Sequence, residues 1–230
     1  MLLTMKHGKD SVLFLSEITA SGNIKIYLFL KRAFDITFAC VLLAICFPVL
    51  SIFFIIAFIE TGQSPLYAQK RGLTFQNSLF YVFKIRTLRY SDQTGIPLSS
   101  EIFIKKDLRP SVTLSGKYLR RSGLDELPQL INIIRGNMSF VGPRPLSLTD
   151  LDIMKKEQPK LYYRRSAITS KPGLTGLWQV YRNRDEGIIN LIELDEEYEQ
   201  KKSIALDFKL LLKTIPMVLF ANTSDAIMSD

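Results

Sequence analysis

Histidine is almost absent from this chain: among 230 residues only His7 carries an imidazole, in a polar N-terminal extension. That argues against histidine-based catalysis and against a zinc site. Cysteine is nearly as scarce. Cys40 and Cys46 both fall inside an apolar run, where they read as small hydrophobes and not as a disulfide or metal pair. There is no GxxxxGK[ST] loop and no GxGxxG, so neither a nucleoside triphosphatase nor a dinucleotide enzyme is indicated. No internal repeat and no low-complexity tract is visible. Acids are outnumbered: 22 Asp and Glu face 30 Lys and Arg, giving a net charge of +8 and a pI near 9.4. Such an excess implies an anionic partner, whether nucleic acid, an acidic membrane surface or a phosphorylated substrate. Nucleic acid fits least, because the basic residues are interleaved with acids and no nucleic-acid motif is present.

What the chain does contain is a long apolar run. Ile36 to Ile59 carries no charged residue and is rich in Leu, Ile, Phe and Val. As a helix it would be roughly 36 Å long, enough to reach across a hydrocarbon core of about 30 Å. About thirty residues, several of them charged, precede the run, which speaks against a cleaved signal peptide. Lys31 and Arg32 lie before it and Lys70 and Arg71 after it, so positive charge flanks both ends. That conflicts with a simple crossing, in which basic residues favour one side. Pro48, in mid-run, removes a backbone hydrogen bond and kinks a helix. A re-entrant helix that bends at Pro48 and returns keeps both flanks on the cytoplasmic side, and is favoured over a span.

Beyond Gly62 the pattern is that of an α/β-type, mostly helical domain with no second spanning segment. Leu79 to Ile85 reads as a short buried strand. Ser91 to Pro110 is polar and holds Gly95, Pro97 and Pro110, which predicts a surface loop. Leu127, Leu130, Ile131 and Ile134 have amphipathic-helix spacing, with Pro128 in the first turn and Gly136 at the end. Thr149 to Tyr163 and Ile188 to Lys202 read as helices. Lys171 to Gln179 is turn-rich and suited to a pocket wall, and Ala205 to Leu219 is an amphipathic or interfacial helix with Lys209 and Lys213 on its polar side.

Chemistry concentrates between Ser122 and Pro145. Asp125 and Glu126 adjoin at the entry to the predicted Leu127–Arg135 helix, with Arg120 and Arg121 upstream and Arg135 and Val141-Gly-Pro-Arg-Pro145 downstream. Acids at a helix start commonly do no more than complement the dipole, worth under about 1 kcal/mol. The surrounding cations favour the ionised form, so at least one carboxylate is available as a nucleophile or as a ligand for a hard cation such as Mg²⁺. Arg144, fixed between two prolines, presents its guanidinium rigidly, as a planar phosphate clamp requires. Lys84, Arg86 and Arg120 are weaker candidates for the same task.

These stretches together resemble the bacterial sugar transferases of the monotopic phosphoglycosyl transferase family. The likeness covers nearly everything from Lys31 onward. It is carried by Lys31-Arg-Ala-Phe-Asp35, Gln69-Lys-Arg-Gly72, Phe83-Lys-Ile-Arg-Thr87, Leu119-Arg-Arg-Ser-Gly-Leu-Asp-Glu-Leu-Pro-Gln-Leu130, Asn132-Ile-Ile-Arg-Gly-Asn-Met-Ser139, Val141-Gly-Pro-Arg-Pro145, Lys171-Pro-Gly-Leu-Thr-Gly-Leu-Trp-Gln179 and Asp195-Glu-Glu-Tyr198.

The resemblance implies transfer of a sugar-1-phosphate from a nucleotide diphosphate sugar, usually a UDP-sugar, to undecaprenyl phosphate, with release of UMP. It implies Asp125 as nucleophile and Mg²⁺ ligand, and Glu126 as a companion acid whose role as base or positioning group stays open. Lys84, Arg86, Arg120, Arg144 and Gln179 match positions expected to bind substrate or phosphate. The expected organisation is an N-terminal extension over 1–30, a re-entrant membrane helix over 31–61 broken at Pro48, and a cytoplasmic catalytic domain with interfacial helices over 62–230. The expected setting is the bacterial inner membrane, with lipid as a partner and a homodimer compatible with the family. Larger members carry a further multispanning domain; this chain resembles the short catalytic form.

Three departures stand out. Phe47-Pro48 replaces the usual Ser-Pro, Ser64-Pro65 replaces Gly-Pro after the helix, and Asn137 replaces an acid before Met138-Ser139. The competing reading is a non-catalytic membrane anchor or scaffold of a polysaccharide assembly complex, using the same basic surface for anionic lipid. The identity of the sugar is not legible; the region Ile168 to Arg184 is the place to look for it.

Overall fold

The computed structural model describes residues 4–77, 79–89, 111–181 and 187–219, with side chains of the first helix from Ile24 onward. The predicted loop over Ser91 to Pro110 lies wholly outside the described residues. The described chain is mostly helical, and one element dominates it. Helix α1 runs from Thr4 to Thr61, 58 residues, and its helical assignment continues through Pro48. Pro48 cannot donate to the carbonyl four residues back. One turn further on, the Ser51 hydroxyl donates to the Phe47 carbonyl at 2.9 Å, a back-bond of the kind that often bends helices. The stretch Ile24–Thr61 is long and apolar enough to cross a membrane by length and composition.

Helix α1 is docked along one face. Asp35, Ala39, Leu50 and Ala57 are buried, and Leu42, Leu43, Cys46, Phe53 and Phe54 pack beside them. These positions recur at the three- and four-residue intervals of one helical stripe. At the start of its uncharged run, Arg32 donates to the Ile133 and Ile134 carbonyls (2.6 and 2.8 Å), and Asp35 accepts from the Phe140 amide at 3.1 Å. Lys31 pairs with Asp207 at 2.6 Å. At its end, Glu60 accepts from the amide and hydroxyl of Ser115. The opposite face is bare: Phe29, Ile45 and Ile59 are 72, 69 and 74% exposed.

After α1, strands β1 (Leu66–Gly72) and β2 (Phe80–Ile85) form an antiparallel pair, Leu66 opposite Ile85 and Arg71 opposite Phe80. Helix α2 (Leu114–Ser122), a 3-10 turn (Leu124–Glu126) and helix α3 (Gln129–Arg135) follow. Strand β3 (Ser139–Val141) leads to β4 (Leu146–Ser147), which completes the sheet in the order β2-β1-β4. Helices α4 (Leu148–Glu157) and α5 (Pro159–Ser166) precede β5 (Gly173–Thr175), which pairs in parallel with β3. Helices α6 (Leu177–Tyr181), α7 (Gly187–Lys201) and α8 (Ile204–Leu219) close the described chain.

Two expectations shift. The helix expected over Thr149–Tyr163 is split, because Gln158 takes φ −135° and ψ 56° ahead of Pro159, which disfavours a helical predecessor. The strand β1 was not foreseen, since its sequence LYAQKRG carries little hydrophobic alternation. Helix α8 is amphipathic as expected: Asp207 and Leu210 are buried, whereas Ile204, Phe208, Leu212 and Ile215 form an exposed stripe. The core comes in three clusters, and α1 contributes to two of them, through Ala39 near β2, α3 and β3 and through Leu50 and Ala57 near Ile85 and Leu119. The third cluster, around Trp178, ties α4, α5 and α7 together.

Candidate active site

The predicted helix over Leu127–Arg135 begins instead at Gln129, and the two acids occupy the separate 3-10 turn before it. Pro128 has no N–H to reach back to the Leu124 carbonyl. Leu127 bonds that carbonyl instead at 3.2 Å, which tightens the turn. Gly123, at φ 72°, supplies the left-handed residue that ends α2 and starts the turn.

The turn faces a narrow cleft lined by Arg71, Val82, Lys84, Glu126, Gln129, Arg144, Pro145, Gly173, Leu174 and Gln179. Lys84, near the end of β2, pairs with Glu126 at 2.6 Å. Asn132 on α3 sets that register, donating to the Tyr81 carbonyl at 2.6 Å and accepting from the Phe83 amide at 3.1 Å. Asp125 is 7% exposed and precedes Glu126 in the turn; it is not among the residues lining the open volume.

The opposite wall is the loop Gly142-Pro-Arg-Pro145 laid against Lys171–Gly176. Gly142 donates to the Thr175 carbonyl, Ser139 to that of Pro172, and Gly173 to that of Pro143, each at 2.9 Å. The approach leaves no room for side chains. A Cβ on Gly142 would lie 2.2 Å from the Lys171 carbonyl oxygen, and one on Gly173 2.1 Å from the Gly142 nitrogen. This explains the glycines of both motifs as places where two backbones touch.

Of the candidates, Lys84, Glu126, Arg144 and Gln179 line one cleft, with Asp125 adjoining. Arg86 is placed elsewhere: its Nε donates to the Ser64 carbonyl at 2.8 Å and it stacks over Tyr67, joining β2 to the chain after α1. Arg120, in the last turn of α2, reaches the Thr87 hydroxyl at 3.4 Å and is not a cleft-lining residue. Gln179 Oε1 is buried without a hydrogen-bond partner. Sequence reasoning missed Arg71 and Gln129 as site residues. Arg71 is 3% exposed in β1, with its Nε and Nη2 on Gln69 Oε1 at 3.0 and 2.7 Å. Its motif Gln69-Lys-Arg-Gly72 was visible, but only pairing with β4 brings it to the cleft.

The donor set can be tested against Mg²⁺. Among the described residues no cluster of three or more His, Cys, Asp or Glu exists. Mg²⁺ needs fewer, since it is usually held by one or two carboxylates together with substrate phosphates and water. Asp125 and Glu126 are adjacent in the turn, and a carboxylate is the donor type such an ion takes, so this turn is the place in the described residues whose chemistry suits it.

A carboxylate turn facing cations, beside a helix apolar enough for a membrane, suits chemistry on phosphate groups. The family model described as bacterial sugar transferase matches residues 26–221, and the chain belongs to that family of enzymes. It is similar to the exopolysaccharide production protein ExoY of Rhizobium meliloti, 34% identical over 84% of this chain and 87% of that one. It is also similar to the UDP-glucose:undecaprenyl-phosphate glucose-1-phosphate transferase of Caulobacter vibrioides, 34% identical over 82% of this chain and 69% of the relative. The undecaprenyl-phosphate galactose phosphotransferase of Salmonella typhimurium is 32% identical over 83% of this chain, which spans 40% of that longer protein.

Proposed function

We propose that the protein transfers a sugar-1-phosphate from a UDP-sugar to undecaprenyl phosphate, releasing UMP and starting a surface polysaccharide or glycoconjugate. The observation that carries this reading is the cleft itself. One wall carries Glu126, paired with Lys84 and next to Asp125 in the turn, and the other holds Arg144 and Arg71. Phosphoryl transfer asks a protein for positioning and charge neutralisation, and this cleft offers both without histidine.

In the first step a carboxylate oxygen of Asp125 attacks the β-phosphorus of the donor. The bond from that phosphorus to the bridging oxygen breaks, and UMP leaves with the electron pair. In the second step a phosphate oxygen of the lipid carrier attacks the same phosphorus, and the Asp125 carboxylate leaves. Arg144 and Arg71 hold diphosphate oxygens in this scheme, and Lys84, oriented by Glu126, faces the charge that builds on them. Mg²⁺, when bound by Asp125 and the diphosphate, supplies further charge neutralisation.

The docking of α1 supports a monotopic seat on the cytoplasmic face of the inner membrane. Both ends of its apolar stretch bind the same domain, through Arg32 and Asp35 at one end and Glu60 at the other. A helix so anchored enters and returns on one side, and its exposed face, with the α8 stripe, lies in the lipid. The carrier's phosphate then meets the cleft at the membrane surface.

Intact mass measurement tests the chemistry. Incubation with UDP-glucose or UDP-galactose, without the carrier, should add one phosphosugar to the protein, and Asp125→Asn should stay unmodified. A phosphosugar on the Asp125→Asn protein would overturn the assigned nucleophile. For topology, Lys25→Cys and Ser64→Cys are each introduced into a Cys40→Ser, Cys46→Ser background. Both should react with an impermeant maleimide only after the inner membrane is opened; reaction of one alone in spheroplasts would mean a span.

A further inference from the structure

A fully buried ion pair sits behind the basic wall and touches no open part of the cleft. Arg165 on α5 and Asp195 on α7 are 0 and 1% exposed, and they pair through Arg165 Nη1 and Asp195 Oδ2. Burial outweighs the pull of Arg165 and holds the Asp195 carboxyl up at about 6, and burial likewise lowers the Arg165 guanidinium. Such a pair is costly, and replacing buried pairs by apolar residues often leaves a fold as stable or more so. Stability of the α5–α7 contact is therefore a poor reason for these two residue types.

Two of their remaining contacts converge on the backbone of one residue, Arg144. Arg165 Nη2 donates to the Arg144 carbonyl, and Asp195 accepts a bond from the Arg144 backbone amide. Arg165 Nε donates to the Leu73 carbonyl at 2.8 Å, which holds the guanidinium against the sheet. The carbonyls on either side of Arg144 are also taken. Pro143 accepts from the Gly173 amide at 2.9 Å and Pro145 from Arg71 Nη1 at 3.3 Å. Three consecutive carbonyls are thus pinned by three different elements. Pro143 fixes its own φ, and Pro145 restricts the backbone of the residue before it. The backbone of Arg144 is thus held from both sides.

We infer that Arg165 and Asp195 are positioning residues for Arg144, fixing the backbone from which its guanidinium reaches the donor's diphosphate. This rests on the reading of Arg144 as a diphosphate ligand. A phosphate clamp works only when its donors are already in place, and an error of about 1 Å in position can cost as much as 100-fold in rate.

A double-mutant cycle separates positioning from stapling. UDP serves as the probe, because its diphosphate is common to UDP-sugars whatever the sugar. Its dissociation constant is measured with Mg²⁺ on the full chain in nanodiscs, for the unsubstituted protein, Arg144→Lys, Asp195→Asn and the double variant. Arg144→Lys and Asp195→Asn should each weaken UDP about 10-fold, and the double variant should be no weaker than Arg144→Lys alone within about 2-fold. Equal losses from Asp195→Asn in both backgrounds, or no loss in either, would mean a staple and would overturn the inference while Arg144 remains a diphosphate ligand. Unchanged UDP affinity in Arg144→Lys would remove the underlying reading, and the inference with it. Arg165→Lys, which keeps the charge and loses the fork, runs the same cycle should Asp195→Asn fail to fold.

Discussion

On one side of the cleft Asp125 and Glu126 ride on a three-residue turn closed by neighbours, Glu126 on the Gly123 carbonyl at 3.1 Å and Leu127 on that of Leu124 at 3.2 Å. On the other side Arg144 rides on a loop tied by residues 21 to 74 positions away, with glycines packed too closely for any Cβ. In the proposed mechanism Asp125 must form a bond and release it, and a local turn suffices to present it. A cationic clamp contributes only through its place, so the fold invests its long-range contacts there.

Substitutions can break this contrast. Asp125→Asn should abolish transfer, by at least ~1000-fold in kcat, with little change in the unfolding transition. The carrier assay with a radiolabelled UDP-sugar reads the first and denaturant unfolding the second. A parallel loss of stability would mean that the acidic wall is structural too. Gly142→Ala should act the other way. A Cβ 2.2 Å from the Lys171 oxygen must push two backbones apart, at a cost of ~1–3 kcal/mol in unfolding free energy. Activity should then fall with the folded fraction.

Arg32→Ala probes the seam between α1 and the catalytic domain. It removes two charged hydrogen bonds from the α3 carbonyls at Ile133 and Ile134, worth about 1–2 kcal/mol in the unfolding free energy. The smallest effect belongs to Glu199, which braces the approach to Lys171. Burial would raise its carboxyl, but hydrogen bonds from Lys202, Ser170 and Thr169 outweigh that and hold it at about 2, below the ordinary 4.5. A depressed carboxylate stabilises the fold above its unfolded value. That contribution is therefore present above pH 4.5 and lost as pH falls from 4.5 towards 2. Glu199→Gln should flatten stability against pH across that window, by less than about 1 kcal/mol because the site is partly solvated.

Much of the site was legible because its residues are neighbours in the chain. Asp125–Glu126 and the Pro-Arg-Pro segment declare charge and rigidity within a few residues, and Lys171–Gln179 shows its turns through its glycines and prolines. Arg71 was not legible, since a lone arginine in LYAQKRG gives no sign of which strand will lie beside it. Arg86 shows the converse. Its motif places it two residues from Lys84, yet it lies beyond the end of β2, where it bonds the Ser64 carbonyl and not the cleft. Arg165 carries no local signal at all, because its role arises from α5 meeting α7 behind the loop.

The amino-acid sequence by itself determined the apolar helix, the adjoining acids, the stiff arginine and the glycines that let backbones touch. These properties depend on residue type and on spacing within one turn or one helix. Only the tertiary structure decided that the apolar run of α1 is docked at both ends, that Lys84 belongs to Glu126, and that Arg71, Arg165 and Asp195 attend the Arg144 loop. Those relations join segments tens of residues apart, and contacts at that range follow from how helices and strands pack.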